Sequence, residues 1–273
     1  MSPPLRSTLF IEFDGRQLSV MTDVPEARRF LEAAFRHMLV SGVTVSAGAF
    51  SFVTTSGGFL LESAERYEYP GVPVEQLLPL VKDEVRLHFM RSRSDLLWLH
   101  AGAVATSKGA VLLAAPSGQG KSSISTALVE RGWRFLSDDI APVRMDANRV
   151  MPFPQTPVRR LHPGSEVASA DVWQLQRESV AISTGLIGRS DASIAHVVFV
   201  NYAAEATTKI EQLRPGSGAM EILRNLTNFV DHKASAVSRV AELAQCVPLF
   251  RLQYSSVTEA AEAINNLELS QSC

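Results

Sequence analysis

Cysteine is scarce in this chain: Cys246 and Cys273 are the two it has, far apart and without metal-ligand spacing. That excludes a disulfide framework and fits a reducing cytoplasm. Charge of one sign is not in excess either. The formal net charge of −2 argues against broad nucleic-acid binding, although a local basic groove stays compatible with it. No apolar run approaches the length of a membrane span, and the first residues lack the charged-then-apolar layout of a signal peptide. Repeats and low-complexity tracts are absent as well. With 46% hydrophobic and 20% charged residues, the composition is that of an ordinary globular chain. Its 273 residues suffice for one large domain, or for one domain and a smaller appendage.

The most informative stretch is Ala115-Pro-Ser-Gly-Gln-Gly-Lys-Ser122. An apolar run from Gly109 to Ala115 precedes it and reads as a buried strand. Ser123 to Arg131 follows as a helix stopped by Gly132. Strand, glycine-bearing turn and helix are the context of a P-loop. The small residues Ser117, Gly118 and Gly120 let backbone N–H groups turn toward a phosphate chain, and the helix N-terminus adds partial positive charge. Lys121 would reach the outer phosphates, and the Ser122 hydroxyl would ligate Mg²⁺. Ala115 stands where the motif usually has its first glycine, which is tolerable if that residue keeps strand-like dihedrals.

The N-terminal part reads as a mixed α+β region. Asp14-Gly15 between two apolar runs predicts a hairpin over residues 8–21. Pro25 and Glu26 open a helix whose apolar positions are Phe30, Leu31, Ala34, Phe35, Met38 and Leu39, predicting a helix to residue 39. Residues 42–70 read as antiparallel strands around Gly57-Gly58. A second helix is expected over 74–91, with Leu77, Leu78, Val81, Val85 and Phe89 on one face. The texture changes near residues 90–97, which divides the chain into an N-terminal part, 1–93, and a nucleotide-binding part, 94–273.

In the second part, Leu97 to Ala105 reads as one strand run, and Trp133 to Ser137 as a strand ending in Asp138-Asp139, with Ile140 to Arg144 extended after it. Loops are expected over 151–193. Ile194 to Tyr202 is a buried strand, 217–231 and 234–245 are helices, and Leu249 to Tyr254 is a strand. Ser256 and Glu259 form a capping box for the last helix. A P-loop protein places its metal-binding acid where Asp138 and Asp139 stand, at the carboxyl end of the next strand. An Asp pair also caps surface turns. His100 lies in an apolar run, where histidine is often a packed core residue, but its neighbours Ala101-Gly102-Ala103 are small enough for something to approach closely.

Together, His100-Ala-Gly-Ala-Val104, a hairpin, the P-loop, Arg131-Gly132, an apolar strand and Asp138-Asp139 resemble the catalytic domain of bacterial HPr kinase/phosphorylase and its smaller stand-alone relatives. Some of those relatives phosphorylate ribosomally made peptides such as lasso peptides. His100 precedes Lys121 by 21 residues and Asp138 follows it by 17, intervals that agree with the family pattern. The resemblance is strong over about residues 97–145. It implies an α/β fold related to phosphoenolpyruvate carboxykinase, with a mixed, mostly antiparallel sheet. It also implies ATP and Mg²⁺ as cofactors and a hydroxyl acceptor on a peptide, small protein or small molecule, with closed homo-oligomers common. Ser117, Gly118, Gln119, Gly120, Lys121, Ser122 and Ser123 would hold the nucleotide. Ser122 and Asp138 would hold the metal, Asp139 would take the acceptor's proton, and His100 would orient or tune the acids. The segment Pro152 to Leu161 resembles the Pro-rich, basic-ended segment of the stand-alone kinases, so Arg159 or Arg160 would contact phosphate or acceptor. The Gly-rich segment associated with phosphorolysis has only a loose echo in residues 185–191, and the N-terminal part does not resemble the family's regulatory domain. The expected activity is therefore an ATP-dependent serine/threonine-hydroxyl kinase without the reverse reaction. A nucleotide-binding regulator or slow NTPase would use the same lysine and metal site.

Overall fold

The computed structural model describes residues 6–42, 45–160 and 177–270, with residues 159–160, 177–178 and 268–270 described for backbone only. The chain is a mixed α/β protein of two compact units. One holds the described residues up to Arg93, with Arg160 and 177–179. The other holds Ser94–Arg159 and everything from Val180 on.

In the first unit, β1 (Ser7–Phe13) and β2 (Arg16–Thr22) pair antiparallel from Ser7↔Thr22 to Phe13↔Arg16. Asp14 and Gly15 both have positive φ, 50° and 72°, as a two-residue hairpin turn requires. Helix α1 (Pro25–Ala34) starts with proline in its first turn. It stops at Ala34, short of the expected residue 39. The Met38 carbonyl accepts the Glu12 N–H at 2.8 Å, and β3 (Leu39–Val40) pairs with Ile11 and Phe10. The last apolar positions of the repeat thus satisfy a sheet edge, which a helix could not do. Strands β4 (Ser46–Thr55), β5 (Gly58–Glu62) and β6 (Arg66–Pro70) complete a sheet of order β3-β1-β2-β4-β5-β6. The pairs β4–β5 and β5–β6 are antiparallel as expected. The pair β2–β4 is parallel, because α1 lies in the connection and permits a crossover. Helix α2 (Val74–Ser92) buries Leu77, Val81, Val85 and Phe89.

The second unit is built on β7 (Leu96–Leu99), β8 (Ala101–Thr106), β9 (Gly109–Ala114), α3 (Lys121–Glu130), β10 (Arg134–Ser137), β11 (Ala141–Arg144) and β12 (Arg149–Val150). The short strand β13 (Val158–Arg160) follows, and β14 (Arg177–Ser179) belongs to the first unit; part of the expected loop region, 161–176, lies outside the described residues. Then come β15 (Ala192–Tyr202), β16 (Lys209–Gln212), α4 (Pro215–Arg224), α5 (Phe229–His232), α6 (Ala234–Cys246), β17 (Leu249–Tyr254) and α7 (Val257–Ser270). The nine-stranded sheet runs β10-β8-β9-β15-β12-β11-β7, with β17 on β15 and β16 on β17. Its centre, β9–β15–β17, is parallel, and every other pairing is antiparallel. Both faces of β9 are buried. Ala110, Leu112 and Ala114 pack on the side of α4 and α6, and Val111, Leu113 and Ala115 on the side of α3 and α7. That explains why β9 reads as a continuous apolar run.

Two expected elements divide. The run 97–105 breaks at His100, whose N–H donates to the Asn225 carbonyl at 2.6 Å. Strand β7 goes to one side of the sheet and β8 to the other. The expected helix 217–231 breaks between Arg224 and Phe229. There the Thr227 N–H donates to the Trp98 carbonyl, and the buried Asn228 amide accepts from Trp98 N–H and donates to the Leu96 carbonyl, both at 2.9 Å. The Asn228 side chain thus serves β7 as a surrogate strand partner, and backbone satisfaction outweighs helical periodicity. At the last helix, the Glu259 N–H lies 3.4 Å from Ser256 Oγ, while the Glu259 carboxylate accepts from Thr208 and does not close the box.

Candidate active site

Strand β9 delivers the chain into the loop at Ala115, a buried residue whose φ is negative, so the missing first glycine costs nothing sterically. Gly118 and Gly120 have φ of 89° and 83°. Gly120 is required twice, since a Cβ there would also lie 1.8 Å from the Tyr254 hydroxyl. It occupies the N-cap of α3 and offers no side chain to the helix's first N–H groups. Those donors and the positive end of the helix dipole face the loop as an anion site. Ser117 and Gly118 are exposed, and Gln119, Ser122 and Ser123 are half-buried.

The two acids meet the loop through a turn at the end of β10. Asp139 has φ of 68°, a left-handed conformation that aspartate tolerates better than most residues. The Ile140 N–H donates to the Asp138 carbonyl at 2.7 Å, and the Ser137 hydroxyl donates to the Ile140 carbonyl. This turn sends the acids to different partners. The Ser122 hydroxyl donates to Asp138 Oδ2 at 3.0 Å, and Asp139 Oδ1 lies 3.3 Å from His100 Nδ1.

Lys121 closes the constellation. Its ammonium donates to the carbonyls of Ala115 at 2.6 Å and Pro116 at 3.2 Å, and it meets His100 Nε2 at 3.0 Å. Three donors therefore meet three acceptors. An ammonium against Nε2 requires a lone pair there, which leaves the imidazole proton on Nδ1, facing Asp139. Lys121, His100 and Asp139 form one hydrogen-bonded line. Burial pushes the Lys121 pKa below its ordinary value, and the carboxylates of Asp139 and Asp138 oppose that shift.

The Ser122 hydroxyl and Asp138 carboxylate, already in contact, are a donor pair suited to a Mg²⁺ ion that takes its other ligands from phosphates and water. No cluster of three or more His, Cys, Asp or Glu that could hold a metal occurs among the described residues.

Of the residues expected at the site, His100, Lys121, Ser122, Asp138 and Asp139 form one connected group beside Ser117–Gly120 and Ser123. The side chains of Arg159 and Arg160 lie outside the described part. Sequence reasoning missed the brace behind the loop. The buried Tyr254 hydroxyl donates to the Gln119 carbonyl at 2.8 Å, and the Gln119 side chain accepts the Tyr202 N–H at 2.8 Å. The two tyrosine rings meet edge to face at 5.6 Å. Burial, and then the neighbouring Tyr202, push the Tyr254 pKa up to about 12, so it stays a donor. The sequence marks Gly120 as a turn residue of the loop, and the close approach of Tyr254 to it is seen only in the structure.

No protein-family model matches the chain, and no curated protein sequence matches it. Among solved structures, the chain is similar to the Hpr(Ser) kinase/phosphatase from Coxiella burnetii, at 12% identity and a TM-score of 0.34, over 63% of this chain and 98% of that one. A likeness at this level is a distant structural relation and assigns no function.

Proposed function

We propose that this chain is an ATP-dependent kinase that phosphorylates a hydroxyl on a peptide, small protein or small molecule. The observation that carries the reading is the line Lys121–His100–Asp139 ending at a P-loop whose Ser122 touches the second acid. The motif resemblance over residues 97–145 points the same way. Loop N–H groups and the α3 N-terminus hold the phosphates, and Lys121 exchanges its loop carbonyls for phosphate oxygens. Ser122 and Asp138 would hold a Mg²⁺ ion, which would supply charge neutralisation on those phosphates. Asp139 accepts the acceptor's proton, and His100, donating from Nδ1, fixes the orientation of that carboxylate.

The test separates the acids. Asp139→Asn should leave Mg²⁺–ATP affinity within several-fold and abolish transfer, whereas Asp138→Asn should weaken Mg²⁺-dependent nucleotide binding first. A base acts mainly in the chemical step, while a metal ligand already acts in the bound ground state. Titration calorimetry beside single-turnover transfer of labelled phosphate reads both, and the reverse pattern exchanges the roles. One observation favours a nucleotide-binding regulator: the Lys121 ammonium is matched by three acceptors of the protein itself. Tight ATP binding with no transfer to any of a panel of serine, peptides and small carrier proteins would select that reading.

A further inference from the structure

A pocket of about 200 Å³ opens against the first half of the P-loop, on the α4 side of the sheet. Its lining includes Pro116, Gln119, Asn201, Glu221, Asn225 and Arg251. The mechanism above uses none of the last four side chains. The pocket lies next to the proposed chemistry, because the Asn225 carbonyl accepts the His100 N–H and the Ala115 and Pro116 carbonyls hold Lys121.

Three features define the ligand. The volume lies below the roughly 300–1,000 Å³ of sites for drug-sized molecules, so the enclosed part suits a small group. The wall carries one guanidinium and one carboxylate, Arg251 and Glu221, 3.5 Å apart. Glu211 lies 3.7 Å from Arg251 and Arg224 3.1 Å from Glu221, which makes the pair part of a solvent-accessible network of alternating charge. Adjacent opposite charges suit a ligand with an anionic and a cationic group on neighbouring atoms. A free amino acid has both on one carbon, whereas a residue within a peptide has neither and a chain end has one.

Resting on the kinase reading, we propose that this pocket is the acceptor site and that it takes a free hydroxy-amino acid of the serine or threonine type. Arg251 binds the α-carboxylate, Glu221 the α-ammonium, and the side-chain hydroxyl points toward the loop. In the transfer, the hydroxyl oxygen bonds to the γ-phosphorus as the bond from that phosphorus to the β,γ-bridging oxygen breaks. ADP leaves with that electron pair, and the hydroxyl proton passes to Asp139.

The experiment is calorimetric titration of L-serine into the protein with Mg²⁺ and a non-hydrolysable ATP analogue, repeated with serinamide, which lacks the carboxylate, and N-acetylserine, which lacks the ammonium. Each truncated ligand should bind at least about tenfold more weakly, the loss of one charge-assisted contact. Arg251→Gln should weaken serine and abolish the difference between serine and serinamide. Glu221→Gln should do the same for N-acetylserine. The ligand series on the unmodified protein decides the matter if either variant fails to fold. Equal binding of all three ligands, or no serine binding while the nucleotide analogue binds, overturns the proposal. Transfer of labelled phosphate to a peptide but not to serine overturns it and leaves the kinase reading standing. Charge-dependent serine binding without any transfer supports the pocket and overturns the kinase.

Discussion

Lys121 is 6% exposed, and burial holds its pKa below the ordinary 10.5. Between that lowered value and 10.5 the folded protein binds fewer protons than the unfolded chain, so folding stability gains as pH rises through the window. Lys121→Met removes this contribution. The difference in urea midpoint between wild type and variant should therefore shift in favour of wild type as pH goes from 7 to 10, and a flat difference would refute the assignment. At neutral pH the same variant should lose phosphoryl transfer and stay folded, read by circular dichroism beside a transfer assay. Asp139, by contrast, occupies a left-handed position, and asparagine is the replacement that best tolerates it. Asp139→Asn is therefore the informative variant, since Asp139→Ala would confound the chemistry with a backbone cost of roughly 1–2 kcal/mol.

The element that decides the site is the loop together with the strand ends behind it. Tyr254 closes β17 and Tyr202 closes β15, and both reach Gln119 because these strands run parallel to β9 and end beside it. Tyr254→Phe should cost about 1 kcal/mol of stability, the usual worth of one hydrogen bond. Gly120→Ala should cost more, because its backbone conformation is unfavourable by roughly 1–2 kcal/mol and its new methyl meets the Tyr254 hydroxyl. With Phe at position 254 the offending oxygen is gone, so Gly120→Ala should be less damaging there than alone. A double-mutant cycle by urea denaturation measures this coupling, and strict additivity would show that the brace does not bear on the loop.

At the scale of the whole molecule, the proposed kinase reading makes a claim about the direction of transfer. Residues 185–191 faintly echo a phosphorolysis segment, and the fold occupies several of them otherwise. Ile187 bridges to Phe135, the Gly188 N–H donates to the Phe135 carbonyl, and Asp191 binds Arg144 at 2.8 Å and Arg149 at 3.0 Å. The hydrogen bond from Arg149 leads the effects that hold the Asp191 carboxyl below its usual pKa. These contacts tie the segment to β10, β11 and β12. A phosphorylated acceptor incubated with the protein, Mg²⁺ and inorganic phosphate should accordingly release no appreciable pyrophosphate. Steady release would assign that segment the role denied to it.

The sequence by itself determined the hairpin at Asp14-Gly15, the strand–loop–helix around Lys121 and the strand Leu249 to Tyr254. In each, local signals agree: a turn dipeptide, glycines at left-handed positions, an apolar run of strand length. Tertiary structure decided the rest. A helical repeat ended early at Ala34 because β1 needed an edge partner, and another broke after Arg224 because Asn228 and Thr227 serve β7. The Asp138-Asp139 dipeptide was legible as a pair of acids at the end of a strand. Only the turn at Asp139 assigned one acid to Ser122 and the other to His100. Tyr202, Tyr254, Glu221, Asn225 and Arg251 gave no signal in one dimension. Their positions around the loop follow from the parallel register of β9, β15 and β17 and from the packing of α4, which are long-range pairings that local sequence does not encode.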